Sequence, residues 1–456
     1  MENNQFNQLK LNQEIISNLT RIGYTNMTKI QEQSLPISLD GNDIIAQAQT
    51  GSGKTVAFSL AILNKLDVKK FRIQSMVMCP TRELANQVAQ EMKKLAKFTH
   101  NIKITTLCGG VPYKPQVHSL SHQAHIIVGT PGRILKHLNE KTFSTKDITT
   151  LVLDEADRML DMGFNEDISK IIEFLPINRQ TLLFSATYPL NIQVLAKNIL
   201  NNPTMVKVES THNTKSIQQI FYESNESDKK ENILKVFNKY QPKSVIIFCN
   251  TKIACDNLAD QFDQDNIDTL VLHSDLEQRD RSETLILFAN KSYPILIATD
   301  VASRGLDIDD VDMVINYNLP FDSEVYTHRI GRTARAGKTG KAISLIDHSD
   351  LDMFDEINID NNFKLEQIDN NISNDYKISS IYDTLFINSG KKNKLRAGDI
   401  LGALTAGIGL HKDDIGKIDI LEFSSYVAIK TEVSKKALQE LGNSRIKGKY
   451  FKVYMV

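Results

Sequence analysis

Two short stretches carry residue types that could do chemistry together. LVLDEADRML (Leu151 to Leu160) sets Asp154, Glu155 and Asp157 within four residues, directly behind an apolar run. AQTGSGKT (Ala48 to Thr55) follows the apolar DIIA and precedes VAFSLAIL, the strand–turn–helix context that a phosphate-binding loop requires. In such a loop Thr50, Gly51, Ser52 and Gly53 turn the backbone so that its N–H groups point inward at the positive end of a helix. Lys54 then reaches the β- and γ-phosphates of ATP, and the Thr55 hydroxyl can ligate Mg²⁺. A glycine-rich turn without function would share the pattern; the strand before it and the helix behind it weigh against that.

The acidic stretch makes sense against this loop. A carboxylate facing a triphosphate is repelled unless a divalent cation lies between them, so a buried strand ending in Asp154 predicts Mg²⁺ at that point. A helix N-cap is the alternative role for Asp154. Glu155 is placed to orient and deprotonate the attacking water. Asp157 is better placed to accept hydrogen bonds from a neighbouring strand end, where FSAT offers Ser185 and Thr187.

These residues need strands that hold them. SMVMCP, AHIIVGT, TLVLDEAD and QTLLFSAT, then SVIIFCN, ILIATD and DMVINYN, read as buried parallel strands, each followed by an amphipathic helix. Alternation of this kind implies two doubly wound α/β sheets. The polar ESTHNTKS (Glu209 to Ser216) is the expected connection between them, giving domains 1–208 and 209–360. Asn361 to Lys377 reads as a second polar stretch, with a linker at 361–376. Beyond it, residues 377–456 alternate TLFIN, an AGDILGALT helix, KIDILEF, SYVAIK and KYFKVYMV, a small mixed α+β sheet domain.

Composition excludes some classes. The 41% hydrophobic and 24% charged fractions are those of a globular protein. No run approaches the roughly 18 apolar residues of a membrane span, and MENNQFNQLK lacks the features of a signal peptide, so a cytoplasmic protein without membrane partners is expected. Cys79, Cys108, Cys249 and Cys255 have no metal-ligand spacing and read as reduced, buried residues. The net charge of −1 hides an asymmetry: Lys377 to Val456 holds fourteen Lys+Arg against eight Asp+Glu, a balance of +6, so the preceding residues carry −7. A basic end suggests an attached polyanion-binding module, although a solvated lysine-rich face would give the same count.

With these motifs in place the chain resembles the DEAD-box RNA helicases over nearly all of residues 1–350. The resemblance implies two tandem RecA-like domains, ATP and Mg²⁺ as cofactors, and RNA as partner. Phe6 and IGYTNMTKIQ look like the adenine-recognising motif, in which Gln31 would bond the base and Tyr24 stack on it. Pro80, Thr81 and Arg82 of PTRELA, the Gly109–Gly110 pair, and Thr130, Pro131, Gly132 and Arg133 of TPGR look like RNA-backbone contacts. In the second domain the resemblance assigns Gln278, Arg281, Thr299 and Asp300 to RNA and Asp307 to the nucleotide ribose. HRIGRTARAG supplies Arg332 and Arg335 to the γ-phosphate, where an arginine finger is worth about 10³ to 10⁵ in rate. Because those arginines belong to a separate domain, hydrolysis would require RNA-promoted closure, and ATP and RNA would favour each other's binding.

The basic end resembles the C-terminal RNA-binding domain of the DbpA/YxiN branch, an RRM-like module. That likeness implies a hairpin of large-subunit ribosomal RNA as target and pre-ribosomal particles as partners, hence ribosome assembly. Lys391, Lys392, Lys394 and Arg396 form one basic cluster, and Arg445, Lys447 and Lys449 another. Against the usual strand pattern, Ser424 occupies one aromatic position; Tyr426 retains the other, and Phe386 is a possible second platform, unless both are ordinary sheet aromatics. The expected activity is RNA-stimulated ATP hydrolysis with local unwinding of short duplexes. An ATP-gated RNA clamp needs the same motifs, and a DNA helicase is the third option.

Overall fold

The computed structural model describes residues 5–49, 51–208, 216–300, 311–334, 339–359, 361–369 and 376–456. The chain divides between Thr211 and His212 into two compact units. No helix among the described residues is long and apolar enough to cross a membrane, and the four cysteines are free and buried.

In the first unit the apolar runs become β1 (Ile44–Gln47), β2 (Ser75–Met78), β3 (Ile104–Leu107), β4 (Ile126–Gly129), β5 (Thr150–Leu153), β6 (Gln180–Ser185) and β7 (Thr204–Lys207). They pair in parallel in the order β3-β4-β2-β5-β6-β1-β7. Successive side chains of a strand point to opposite faces: Val77 and Val152 enter one core, while Met76, Met78, Leu151 and Leu153 enter the other. Helices cover both faces, which is why these strands read as continuous rather than alternating apolar runs.

Parallel pairing also brings all the carboxyl ends to one edge, where open α/β sheets bind ligands. The P-loop leaves β1, the acidic triplet leaves β5, and FSAT leaves β6, which lies between them. PTRELA, the Gly109–Gly110 pair and TPGR follow β2, β3 and β4. One half of the edge therefore carries the nucleotide candidates and the other half the first domain's RNA candidates.

The second unit repeats the plan. Strands β8 (Ile217–Glu223), β9 (Val245–Phe248), β10 (Leu270–Leu272), β11 (Ile295–Ala298), β12 (Met313–Asn316), β13 (Gly340–Ile346) and β14 (Leu365–Glu366) form a parallel sheet in the order β10-β11-β9-β12-β13-β8-β14. The presence of β14 corrects the expected linker at 361–376. Its described part is built into the domain: Leu365 and Glu366 pair with Phe221 and Tyr222, the Phe363 ring lies 5.0 Å from that of Phe221, and Ile368 is buried. Just after it, the Tyr376 hydroxyl donates to the Pro242 carbonyl at 2.6 Å. Polar composition concealed this because an edge strand of two residues needs almost no apolar pattern.

The basic end is a four-stranded antiparallel sheet, β16 (Ile415–Ile420), β17 (Ser425–Lys430), β15 (Tyr382–Ile387) and β18 (Val453–Met455), in that order across the sheet. Leu385, Ile387, Val427 and Ile429 point to one face and form a core with Ile400, Leu404, Ala437 and Leu441. Those last two belong to the helix Thr431–Gly442. The first half of KYFKVYMV is a loop rather than strand.

The other face of this sheet meets the second domain. Thr384 Oγ1 accepts from Asn290 Nδ2 at 2.7 Å and bonds Ser292 Oγ at 2.6 Å, with all three residues buried. Thr384→Val would strand those partners, at a cost of about 1–3 kcal/mol. The denaturant midpoint of the transition reporting on the second unit should fall accordingly, while Thr384→Ser stays near wild type; an unchanged midpoint for the valine variant would show that this trio does not hold the sheet in place.

Candidate nucleotide site and nucleic-acid interface

The P-loop owes its shape to two glycines in the left-handed region, Gly51 at φ +80° and Gly53 at φ +95°. A Cβ on Gly53 would sit 2.5 Å from Gln31 Nε2, so glycine is required there for closeness as well as for conformation. Gln31 is buried, donates to the Gly53 carbonyl at 3.0 Å and accepts from the Thr28 N–H at 2.9 Å. It thereby caps the helix Lys29–Leu39 and fastens that helix to the loop. Lys54 and Thr55 open the helix Lys54–Lys65. The Lys54 ammonium is buried and donates to the Ala48 carbonyl at 2.7 Å. Tyr24 makes its contacts with the helix Arg82–Leu95: its hydroxyl donates to Glu91 at 2.8 Å and the Lys94 ammonium lies 4.9 Å from its ring centre. Phe6 is buried in the core. Thr50 and Asp307 lie outside the described residues.

The three carboxylates at the end of β5 are all buried but differ in company. Asp157 Oδ2 accepts from the backbone N–H groups of Ala186 and Thr187 at 3.0 and 2.9 Å and from Thr187 Oγ1 at 3.2 Å. Its Oδ1 accepts from the Arg158 N–H, and its own N–H donates to Ser185 Oγ at 3.3 Å. Burial pushes this carboxyl up, but Lys54 and those N–H donors outweigh it and hold Asp157 below the usual carboxylate range. Glu155 takes a salt bridge of 3.0 Å from Arg158, both side chains being about 5% exposed. Its backbone is left-handed at φ +54°, a conformation costing a non-glycine residue on the order of 1 kcal/mol or more, of the kind found at active sites. Asp154 is left short of positive charge. Burial pushes its carboxyl up to about 7 against the pull of Lys54, with Glu155 adding to the rise.

This donor set fits Mg²⁺. Among the described residues no three His, Cys, Asp or Glu side chains gather as a self-sufficient metal cage. Mg²⁺ needs none, since it binds through one or two carboxylates together with substrate phosphates and water. Asp154, buried and under-neutralised, with the Thr55 hydroxyl at the start of the P-loop helix, would hold it; when bound, the ion would neutralise charge developing on the phosphates.

On the other half of the edge, helix N-termini and arginines gather. Thr81 caps the helix Arg82–Leu95 by accepting from the Leu84 N–H, and Pro80 precedes it. The Arg82 guanidinium lies over Gly109 and Gly110: a Cβ on Gly110, at φ +63°, would fall 1.4 Å from Arg82 Nη1. Thr130 precedes the helix Pro131–Asn139, which carries Gly132 and Arg133 in its first turn. Such N-termini present free N–H groups and positive potential to phosphates. Arg133 donates to Gln116 Oε1 at 3.3 Å and to the Val111 carbonyl at 3.2 Å.

Sequence reasoning missed the support of Arg133. Gln116 Oε1 also meets His137 Nε2 at 3.0 Å, and His137 Nδ1 meets Thr142 Oγ1 at 2.9 Å. The only sequence signal was a histidine on an otherwise apolar helix face.

In the second domain, Gln278 and Arg281 lie in the first turn of the helix Gln278–Ala289, and Thr299 follows β11. Asp300 departs from expectation. Its carboxylate pairs with Arg329, Nε to Oδ1 and Nη2 to Oδ2, both at 2.7 Å. Phosphate would repel that carboxylate, and the pair instead fixes the helix Ser323–Ile330. Arg329, buried over the Phe248 ring and bonded to Asn250, Asn316 and the Asn318 carbonyl, was missed although it begins a run of arginines spaced by three. Arg332 is buried just beyond it; Arg335 lies outside the described residues.

The stacking platform in the basic domain also needs correction. Tyr426 is 3% exposed with its hydroxyl 3.4 Å from Glu283 of the second domain. Phe386 lies edge-on to Tyr426 and stacks on Tyr454. The reason is that the Thr384 and Tyr426 side of this face is used against the second domain, while Phe386 is half-buried and Tyr454 exposed. Lys391, Lys392, Lys394, Arg396, Arg445, Lys447 and Lys449 are exposed, and Lys447 donates to the Lys394 carbonyl and pairs with Asp399.

Comparison with known proteins agrees with this layout. Residues 28–195 match the DEAD/DEAH box helicase family, 228–337 the helicase conserved C-terminal domain, and 384–454 the DbpA RNA-binding domain. The chain is 45% identical to the ATP-dependent RNA helicase DbpA of Escherichia coli over 97% of both proteins. It belongs to the DbpA-type DEAD-box RNA helicases. The DbpA of Bacillus subtilis is 34% identical over 98% of each chain. Among solved structures, Saccharomyces cerevisiae Dbp5 bound to RNA and ADP BeF3 matches with a TM-score of 0.73 and 32% identity, covering 80% of this chain and 96% of that one. As a DEAD-box helicase the chain is an ATP-dependent enzyme with a dedicated RNA-binding domain.

The His137 contacts carry a pH prediction. Burial pushes this imidazole down to about 4 from the ordinary 6.5, with Arg133 adding to the fall. Between those values the unfolded chain binds more protons than the folded one, so the first domain should lose stability as pH falls from 6.5 towards 4. His137→Gln should flatten that slope in unfolding midpoints taken at pH 5 and 7.5; a slope equal to wild type would mean that His137 is not held neutral.

Proposed function

We propose that the chain is an RNA-stimulated ATPase that opens short RNA duplexes locally, directed by its C-terminal domain to a hairpin of large-subunit ribosomal RNA during ribosome assembly. The observation that carries the reading is the shared edge of the first sheet, where a P-loop and a charge-deficient Asp154 stand beside arginines and helix N-termini suited to an RNA backbone. The target rests on the match to the DbpA RNA-binding domain.

Lys54, which donates to the Ala48 carbonyl, would turn to the triphosphate of bound ATP, and Thr55 and Asp154 would hold Mg²⁺. Arg158 fixes Oε2 of Glu155, so that Oε1 takes the proton of the attacking water. Asp157, bound to the backbone of Ala186 and Thr187, ties the acidic triplet to the SAT segment, so that a shift of one end of the sheet edge is felt at the other. Arg332 and Arg335 complete charge stabilisation from the second domain, and Asp300 holds the helix that precedes them through Arg329. Contacts through phosphate and 2′-OH leave the core indifferent to base sequence.

Glu155→Gln should abolish turnover while ATP and RNA binding persist, and retained hydrolysis would remove Glu155 from the role of base. Steady-state ATPase should rise when the ribosomal hairpin is added, and a short duplex extending from that hairpin should be displaced. ATPase equal with and without RNA would sink the coupling; stimulated ATPase without displacement would favour an RNA clamp.

A further inference from the structure

The sheet of the C-terminal domain has Thr384 and Tyr426 of its second face buried against the second domain, leaving Phe386 half-buried and Tyr454 45% exposed, so the loop end of the sheet is the larger open surface for unpaired bases. Antiparallel pairing gathers three loops at one end of the sheet: residues 388–396 after β15, 421–424 between β16 and β17, and 443–452 before β18. They are fastened together. The Lys391 and Lys392 N–H groups donate to the Leu421 and Glu422 carbonyls at 2.9 Å, the Asn388 N–H donates to the Lys452 carbonyl at 3.0 Å, and the Lys447 ammonium donates to the Lys394 carbonyl at 2.7 Å. A Cβ on Gly390 would fall 2.4 Å from the Leu421 carbonyl oxygen, so the first two loops cannot separate without losing their fit.

This end carries both basic clusters and two large rings in the open. Phe423 and Tyr450 are each 62% exposed. The Lys392 ammonium lies 5.3 Å from the Phe423 ring centre, and the Arg445 guanidinium 5.3 Å from that of Tyr450. Of the carboxylates in and beside these loops, Asp399 is taken by Lys447 and Asp419 by Lys417, which leaves Glu422 within the loops themselves. An exposed ring bearing a cation offers a nucleotide both things it needs, a flat apolar surface for the base and a charge for its phosphate.

We propose that Phe423 and Tyr450 are base-stacking residues, each holding an unpaired nucleotide of the RNA loop that the C-terminal domain binds, with Lys392 and Arg445 neutralising the adjoining phosphates. This rests on the reading of that domain as the RNA-targeting module and names its contact residues. Fixed loops present the rings without an ordering cost on binding, and buried Tyr426 with half-buried Phe386 supports this end.

The test uses the full chain, a large-subunit ribosomal RNA hairpin with its unpaired loop, and the same stem closed as a blunt duplex. Phe423→Leu and Tyr450→Leu should each weaken hairpin binding by roughly 5- to 150-fold, the range of one lost base stack, and leave duplex binding unchanged. The salt dependence of hairpin binding should keep its slope in these variants, whereas Lys392→Ala should reduce it by about one phosphate contact. Phe423→Trp should restore affinity, and 2-aminopurine in the loop should be quenched on binding by wild type but not by the leucine variants. Leucine variants that bind like wild type while Lys392→Ala binds weakly would overturn stacking and leave the targeting role standing. Hairpin affinity untouched by all these changes and by deletion of 377–456 would overturn both.

Discussion

Negative charge buried at the end of β5 is the constraint on which the rest of the first domain depends. Three carboxylates leave one strand within four residues, and all of them are buried. Such charges persist only when paired or hydrogen-bonded. Arg158 serves Glu155, and the backbone of Ala186 and Thr187 serves Asp157. Lys54 alone pulls on Asp154 among the causes that lower it, apart from one backbone N–H, and it does not suffice, since that carboxyl stands near 7. Asp154 is therefore left short of positive charge, and on the proposed reading a divalent ion bound with the phosphates would supply it. The sheet order follows from the same need: β6 between β1 and β5 lets the SAT segment bond Asp157 on one side and Ala48 on the other, through the Ser185 carbonyl.

Much of this was legible in the sequence because both faces of a doubly wound sheet are apolar, so its strands stand out as unbroken runs. The P-loop could be placed from Gly51, Gly53 and the strand before them, and the spacing of Asp157 from the strand pointed to Ser185 and Thr187 as hydrogen-bonding partners. What failed has a common physical source. Asp300, Tyr426 and the stretch 361–376 take their roles from what docks against them, and docking leaves no local pattern. An aromatic on the second face of a small sheet reads the same whether RNA or protein covers it; the buried Asn290–Ser292–Thr384 contact decides for protein. Arg329 and His137 were passed over because a buried cation or imidazole is recognisable only once its partners are known.

The division of labour across the chain follows. On the proposed reading, the core would meet RNA through backbone-directed groups at helix N-termini, which carry no sequence information. Selection would then fall to the C-terminal domain, whose sheet is fixed to the second domain through Thr384 and Tyr426 while its loop end carries the exposed cations and rings. Because the same helix holds Gln278 and Arg281 in its first turn and Glu283 against Tyr426, the RNA-binding domain is mounted on the element that carries backbone-binding candidates.

The most direct measurement is calorimetric titration of ATP into the wild-type chain and into Asp154→Asn, with and without Mg²⁺. The account predicts that wild type binds ATP much more tightly with Mg²⁺ than without, and that Asp154→Asn loses most of that difference because the carboxylate that needs the ion is gone. Equal affinity of wild type for ATP with and without the ion, or a Mg²⁺ effect undiminished in Asp154→Asn, would contradict it.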